Sequence, residues 1–471
     1  MLNTARVFVI SLLLLVVTAA PALANQITFN GSGWGHGIGL SQYGAKALGA
    51  DGATYQEIIQ RYFPNLTLAS FHTVVPETFA SQDETPIWVG LREESQSSGF
   101  EVLKGSVRLC LDQQNYCVGT AKPNEDWTFS LDGSGGCVFY KRLTTGVIRF
   151  AGNSSECATS LRPISPDTEV YLPFKARSYK DGVIRFRQAP ESKKIHTVLE
   201  IGVEDFLEGI SEVPESWPEA SIEAQVVTLR SNIVWNLLNS GSVEDFHTEI
   251  KESCFCNIKD NANGQIFRGE SGRSSHPNWV AAVHSTSQKI LVGPNGPALG
   301  LHTSSSGGMT QTYSEVYGVD DHRYLVSVDD SAAFSLSASN PHKQWQATYS
   351  SESLSNVFGF DQIAFVEVAE FNTSGSVKTV RISGVIDGGL DEKSFSGVEV
   401  QRLLSLRSST FKIVNESNFQ DVQPGHYFLG DISNLSSLEI TKGCTPTEFC
   451  PDKPVTRAEM AAFLVRGLKI N

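Results

Sequence analysis

One acidic residue, Glu212, stands inside the run FLEGISEVPESWPEASIEAQVVTLRSNIVWNLL, residues 206–238, with Val213, Pro214 and Trp217 offering an apolar wall beside it. Apolar surroundings penalise the charged form of a carboxyl and raise its pKa. A glutamic acid lifted to about pKa 6 keeps its proton near neutrality and can donate it to a glycosidic oxygen. The plainer alternative is a carboxylate that caps the following helix or pairs with a surface base. A second candidate is His36, at the centre of a loop in which Gly31, Gly33, Gly35, Gly37 and Gly39 alternate. Glycine at that density lets backbone approach something closely. With Ser41 and Gln42, His36 would line a sugar-binding cleft, although a lone histidine is as often a packed structural one. Ser304, Ser305 and Ser306, followed by two glycines, offer hydroxyls and backbone donors suited to sugar hydroxyls, or simply a flexible turn. No GxSxG elbow or serine–lysine pairing points to a nucleophilic serine. His247, Cys254 and Cys256 fall short of a zinc ligand set, so the two cysteines read as disulfide-forming, and no metal or cofactor is expected.

Positioning these groups requires a helix and a rigid turn. Ser216 reads as an N-cap with Glu219 three residues on, Pro218 suits a first turn, and Ile222, Val226, Leu229, Ile233 and Leu237 recur at the spacing of an amphipathic helix. Glu212 then lies upstream, in a turn fixed by Pro214 and Pro218. After His36, helices are expected from about Leu40 to Leu48 and from Tyr55 to Tyr62. Residues 69–85 read as a linker. Residues 86–198 read as a β-rich insert, a scaffold or substrate platform, and residues 331–414 return to strand-like segments.

The 471 residues, 40% hydrophobic and 19% charged, describe a soluble globular protein with room for two or more domains. Residues 1–24 carry Arg6, the apolar run VFVISLLLLVV and Ala22-Leu23-Ala24, the pattern of a secretory signal peptide cleaved before Asn25, with an uncleaved anchor as the minority alternative. In an exported chain the eight cysteines suggest disulfides, with Cys110–Cys117, Cys137–Cys157 and Cys444–Cys450 as near neighbours. A net charge of −14 argues against nucleic acid as a partner and leaves a neutral glycan open.

The run EDFLEGISEVPESWPEASIEAQVVTLRS resembles a signature of the stage II sporulation protein D family (SpoIID/LytB), which reads roughly YLxGVxxEMPxxWPxEALKAQAVAARSY. The family's acid falls on Glu212 and its arginine on Arg230; Val213 replaces the usual Met and Leu229 the usual Ala. Residues 27–68 resemble a second signature, GxGWGHGxGMSQYGAxxxAxxGxxYxxILxxYY, with Leu40 for Met, and residues 279–330 resemble the family's SSSGG segment. In the usual arrangement the GHG signature closes the domain, whereas here it opens it. The segment that normally precedes it is matched by LRSSTFKIV, residues 406–414. That order is the order of a circular permutation, which is permissible if the strand ends near Ile27 and Val414 are adjacent. Residues 419–468 resemble one S-layer homology (SLH) repeat, from Phe419, Asp421 and Val422 to the TRAE run at 456–459 and MAAFLVRGL.

These resemblances imply an α+β fold: a strand-rich SpoIID-like domain over residues 25–415 with a central amphipathic helix in its catalytic segment, 199–240, and a small all-α SLH module over 416–471. They imply a lytic transglycosylase acting on peptidoglycan glycan strands. Ordinary glycosidases use two carboxylates. This reaction needs one, because the sugar's own C6 hydroxyl attacks the anomeric carbon and closes a 1,6-anhydro ring. Glu212 would act as acid and then base, Arg230 would orient substrate, and His36, Ser41, Gln42, Ser304, Ser305 and Ser306 would line the cleft. In the SLH repeat Thr456 would cap the last helix with Glu459, and Arg457 beside them would meet an anionic secondary cell-wall polymer. Such repeats usually work in threes, so oligomerisation would supply the valency that one lacks. The protein would be secreted and wall-attached. The alternative is a non-catalytic glycan-binding protein that enhances a separate wall amidase.

Overall fold

The computed structural model describes residues 26–75, 86–131, 136–143, 145–151, 157–241, 246–261 and 265–468. The leader expected at 1–24 and residues 76–85 of the expected linker lie outside the described residues. The architecture is mixed α+β and divides into two compact units, one formed by the described parts of Met1–Gly31, Gln346–Phe371 and Val377–Asn471, the other by Ser32–Trp345 with Asn372–Ser376.

The larger unit is organised by alternating glycines. Gly33, Gly35, Gly37 and Gly39 all take positive φ, from 74° to 112°. A Cβ on any of them would collide with the segment 301–311: at Gly33 it would lie 2.8 Å from the Ser305 carbonyl, at Gly37 2.6 Å from the Gln311 amide, and at Gly39 against the Leu301 carbonyl. Freed of side chains, the two stretches pair. Trp34 and Ser305 exchange backbone bonds of 2.9 and 3.2 Å, Leu40 N–H donates to Leu301 O, and Gln311 N–H donates to Gly37 O at 2.7 Å. Leu40–Ser41 then runs parallel to His302–Thr303.

Helix α1, Gln42–Ala50, follows directly and is capped by the Ser41 side chain. Helix α2, Tyr55–Tyr62, has the expected bounds and a Thr54–Glu57 capping box. Residues 86–202 form a six-stranded sheet and six strands of a seven-stranded one, whose seventh strand is Ile258–Lys259. They share a core in which Phe129 stacks on Phe186 at 4.3 Å beside Phe100, Trp127 and Phe139.

Helix α3, Val203–Glu208, precedes the Glu212 turn, and α4, Glu219–Ser240, follows it. The expectation of an amphipathic α4 is corrected. Residues 224–231 are buried without interruption, more than two turns, so no face of that stretch meets water. The reason is that α4 lies between cores: Ile222, Val226, Leu229 and Ile233 join the β-rich cluster, whereas Ala224 and Val227 pack with Ile38, Leu40, Ile58 and Ile59. Ser216 is exposed and caps nothing; α4 starts after Pro218 with no side-chain cap.

In the smaller unit, Gln26–Gly31 is flanked by Trp345–Ser350 and Phe411–Asn415. Thr28 pairs antiparallel with Val414 and Ile27 with Asn415, so the two strand ends named above are neighbours. Within residues 416–468 the helices are α6, Leu429–Ser437, and α7, Arg457–Gly467, with α5, Pro277–Ser285, belonging to the larger unit. The expected Thr456–Glu459 capping box is formed. Cysteines pair as 110–117, 137–157, 254–256 and 444–450.

Gly39→Ala should therefore lower stability by more than about 2 kcal/mol in chemical denaturation, because it adds a collision to an unfavourable φ. Gly52→Ala, where φ is 96° and nothing lies within 4 Å of the new methyl, should cost about half as much.

Candidate active site around Glu212

The turn carrying Glu212 is held from several directions. The indole N–H of Trp279, on α5, donates to Leu207 O at 2.8 Å, and Arg268 N–H donates to Gly209 O at 2.8 Å. Gly209 lies against the ring of Phe267, where a Cβ would have no room. Downstream, Glu215 accepts from the backbone of Asn278, whose side-chain amide reaches Glu215 O at 3.1 Å. Ile210 and Val213 are buried on either side. Glu212 is thereby fixed between two apolar anchors, its side chain 25% exposed. Of the apolar wall expected from sequence, Val213 is buried and Trp217 half-buried, whereas Pro214 faces solvent.

Burial raises the Glu212 pKa, with exposed Arg268 pulling the other way. Its Oε2 lies 3.9 Å from Nε2 of His302, a residue that sequence reasoning missed. Separations of this size tighten into hydrogen bonds when a substrate is bound. His302 is pushed down to about pKa 4 by burial and then by its neighbour His36. His36 is likewise lowered to about 4 by burial, a hydrogen bond to the His302 main chain working against it, and its Nδ1 accepts from Ile38 N–H at 3.0 Å. Both rings are therefore neutral at ordinary pH. That matters for Glu212, because an imidazolium at this distance would favour the carboxylate and release its proton.

His36 and His302 line a groove of about 620 Å³ together with Asn232 and Asn236 of α4, Lys259 and Tyr317. Amides, an ammonium and a phenol suit a hydroxyl-rich ligand. Gly300 brings the His302 strand hard against α4, since a Cβ there would meet the Thr228 carbonyl. The available signal for His302 was its place two residues before the serine run, on a strand whose partner follows the glycine loop.

Several expected site residues belong to the scaffold. Arg230 is 0% exposed. Its Nε and Nη2 donate to Glu204 at 2.9 and 2.8 Å, and the remaining N–H groups to the carbonyls of Val283, Thr286 and Lys289. All five donors are satisfied within the protein, so it does not orient substrate. Ser41 is buried as the α1 cap. Ser305 accepts from Asn340 and Ser306 donates to Asp330, which also accepts from Tyr62 at 2.6 Å, so both serines are internal struts. Gln42, half-exposed at the first position of α1, does not line the groove. Ser304 remains half-exposed on the same strand face as His302. Cys254 and Cys256 are bonded to each other, which takes both thiols out of any ligand set with His247.

Comparison with known proteins agrees at the level of domains. Residues 191–292 match the SpoIID family, described as Stage II sporulation protein, and residues 418–461 match the S-layer homology domain. A stretch of 47 residues is 49% identical to the amidase enhancer of Bacillus subtilis (strain 168), covering 10% of this chain and 7% of that protein. No solved structure matches. The SLH domain indicates association with the cell surface or wall.

Two outcomes follow from this geometry. The unfolded chain protonates its imidazoles near pH 6.5 while His36 and His302 resist protonation down to about 4. Stability is thus complete above pH 6.5 and is lost as pH falls from 6.5 toward 4, by on the order of 3 kcal/mol per ring. The drop in melting temperature between pH 7 and pH 5 should shrink in His302→Gln. Arg230→Met, which removes the counter-charge of Glu204 and leaves it only the Gln288 N–H, should cost roughly 3–5 kcal/mol in denaturant melts.

Proposed function

We propose that the protein is a peptidoglycan lytic transglycosylase held at the cell wall by its SLH repeat, with Glu212 as its one acid and base. The observation that carries this reading is the state of that carboxyl: mostly buried, its pKa raised, beside a neutral histidine that lines a polar groove. Protonated Glu212 donates to the bridging oxygen as the glycosidic bond breaks. The resulting carboxylate takes the proton of the C6 hydroxyl as that oxygen bonds to the anomeric carbon, which closes the anhydro ring and restores the acid. His302 stays neutral throughout and steadies the carboxyl without competing as an acid. Ser304 and His36 serve the sugar from the two paired segments.

In this reading residues 1–24 export the chain, residues 25–415 form the SpoIID-like domain in permuted order, and residues 416–471 form the SLH module. Arg457, exposed at the start of α7 beside the Thr456–Glu459 cap, meets an anionic secondary cell-wall polymer. A second reading, a non-catalytic glycan-binding protein that enhances a wall amidase, is favoured by the name of the matched relative.

Digestion of purified glycan strands followed by mass spectrometry separates the two. The wild type should generate 1,6-anhydro ends, and Glu212→Gln should lower their rate of formation by on the order of a thousandfold. The rate should fall as pH rises through the raised pKa of Glu212, since the acid must begin protonated. Anhydro ends that persist in Glu212→Gln would remove Glu212 from the chemistry; their absence with wild type would leave the binding reading.

A further inference from the structure

Around exposed Trp34 the larger unit gathers part-buried aromatic rings that the reaction itself does not use. Trp34 is 49% exposed and packs edge-on with His342, ring centres 4.5 Å apart. Tyr43 lies 5.5 Å from His342 and 5.1 Å from Trp217, and the Lys46 ammonium sits 5.3 Å from the Trp217 ring. Single exposed apolar residues are ordinary; three further rings gathered behind one half-exposed tryptophan make a patch that calls for an occupant.

The chain path ties this patch to the site. Along residues 302–305 exposure alternates: His302 and Ser304 are part-exposed, while Thr303 and Ser305 are buried. Across from them Trp34 is exposed and precedes the part-exposed His36 by two residues in the glycine loop. Tyr43 N–H donates to Ser304 O at 3.1 Å, and Trp217 lies on the same short turn as Glu212. The ring cluster therefore meets the turn of the acid at Trp217 and the histidine loop at Trp34, and the acid itself lies 3.9 Å from His302.

We infer that Trp34, Tyr43 and Trp217 form a second sugar subsite, a stacking platform for N-acetylated pyranose units of the glycan strand, continuous with the polar groove at His36 and His302. Pyranose rings present a face of C–H bonds, and the acetamido methyl adds apolar area. Flat aromatic side chains bury such faces at little conformational cost, while the hydroxyls at the ring edge stay in water. The platform thus selects for a strand long enough to engage both regions, and it deepens the transglycosylase reading on which it rests.

The test uses full-length Glu212→Gln protein, so that nothing is consumed, and calorimetric titration with fragments of alternating N-acetylglucosamine and N-acetylmuramic acid, two or eight sugars long. Trp34→Ala on this background should bind the eight-sugar fragment roughly fivefold to tenfold more weakly. Trp34→Phe should recover most of the loss, and the two-sugar fragment should discriminate little between them. Thermal melting serves as the check on folding. In the active protein Trp34→Ala should raise KM for long strands and leave kcat nearly unchanged. Equal affinity of Trp34→Ala and its parent for the long fragment would overturn the platform while leaving the role of Glu212 intact. Loss of affinity in a protein that yields no anhydro ends would keep the platform and discard the chemistry. Absence of binding by the Glu212→Gln parent would overturn both.

Discussion

The closure of the glycine loop onto residues 301–311 is the contact from which the rest of the site follows. It joins segments 266 positions apart through backbone bonds and the Thr303 hydroxyl, and it leaves no room for a side chain at every second residue of the loop. Because the two backbones lie so close, His36 and His302 are brought side by side and largely withdrawn from water. Burial then keeps both imidazoles uncharged, so His302 does not oppose the upward shift that burial gives the Glu212 pKa. Local steric permission at four glycines becomes an electrostatic condition on a carboxyl that arrives from a different part of the chain.

The buried helix α4 is the second constraint. It sits between the β-rich core and the core built on α1 and α2, and it fixes the Glu212 turn at its start and the His302 strand through Gly300. Arg230 serves this frame rather than the substrate: its bidentate pair with Glu204 and its bonds to three carbonyls tie α4 to α3 and to the end of α5. A fully paired buried guanidinium contributes rigidity of placement more than net stability. Rigid placement is what an acid aimed at a single oxygen requires.

Much of this was legible in the residues, and apart from the local cap expected at Ser216 the failures have a common cause. The capping box at Thr456, the second helix and three near-neighbour disulfides rest on short-range rules, and each is present. The environment of Glu212 was readable in part, since Val213 and Trp217 of its expected wall are withdrawn from water whereas Pro214 is exposed. Ser41, Ser305, Ser306 and Arg230 carry groups that suit a sugar, and sequence pattern does not reveal that partners far along the chain already satisfy them. His302 was overlooked for the converse reason, as its meaning depends on the partner strand. Helix α4 shows apolar spacing on one side, but its small and polar residues Ala224, Thr228 and Ser231 are buried too, because another core meets that side.

The central claim is that the Glu212 carboxyl is held protonated above the ordinary range by burial next to neutral imidazoles. Carbon-13 NMR titration of side-chain-labelled glutamate, with the Glu212 resonance assigned by its loss in Glu212→Gln, reads this state directly. The account predicts a Glu212 pKa clearly above 4.5, falling when His302 is replaced by lysine, whose charge would favour the carboxylate. A Glu212 resonance that titrates at or below 4.5 and ignores that replacement would contradict it.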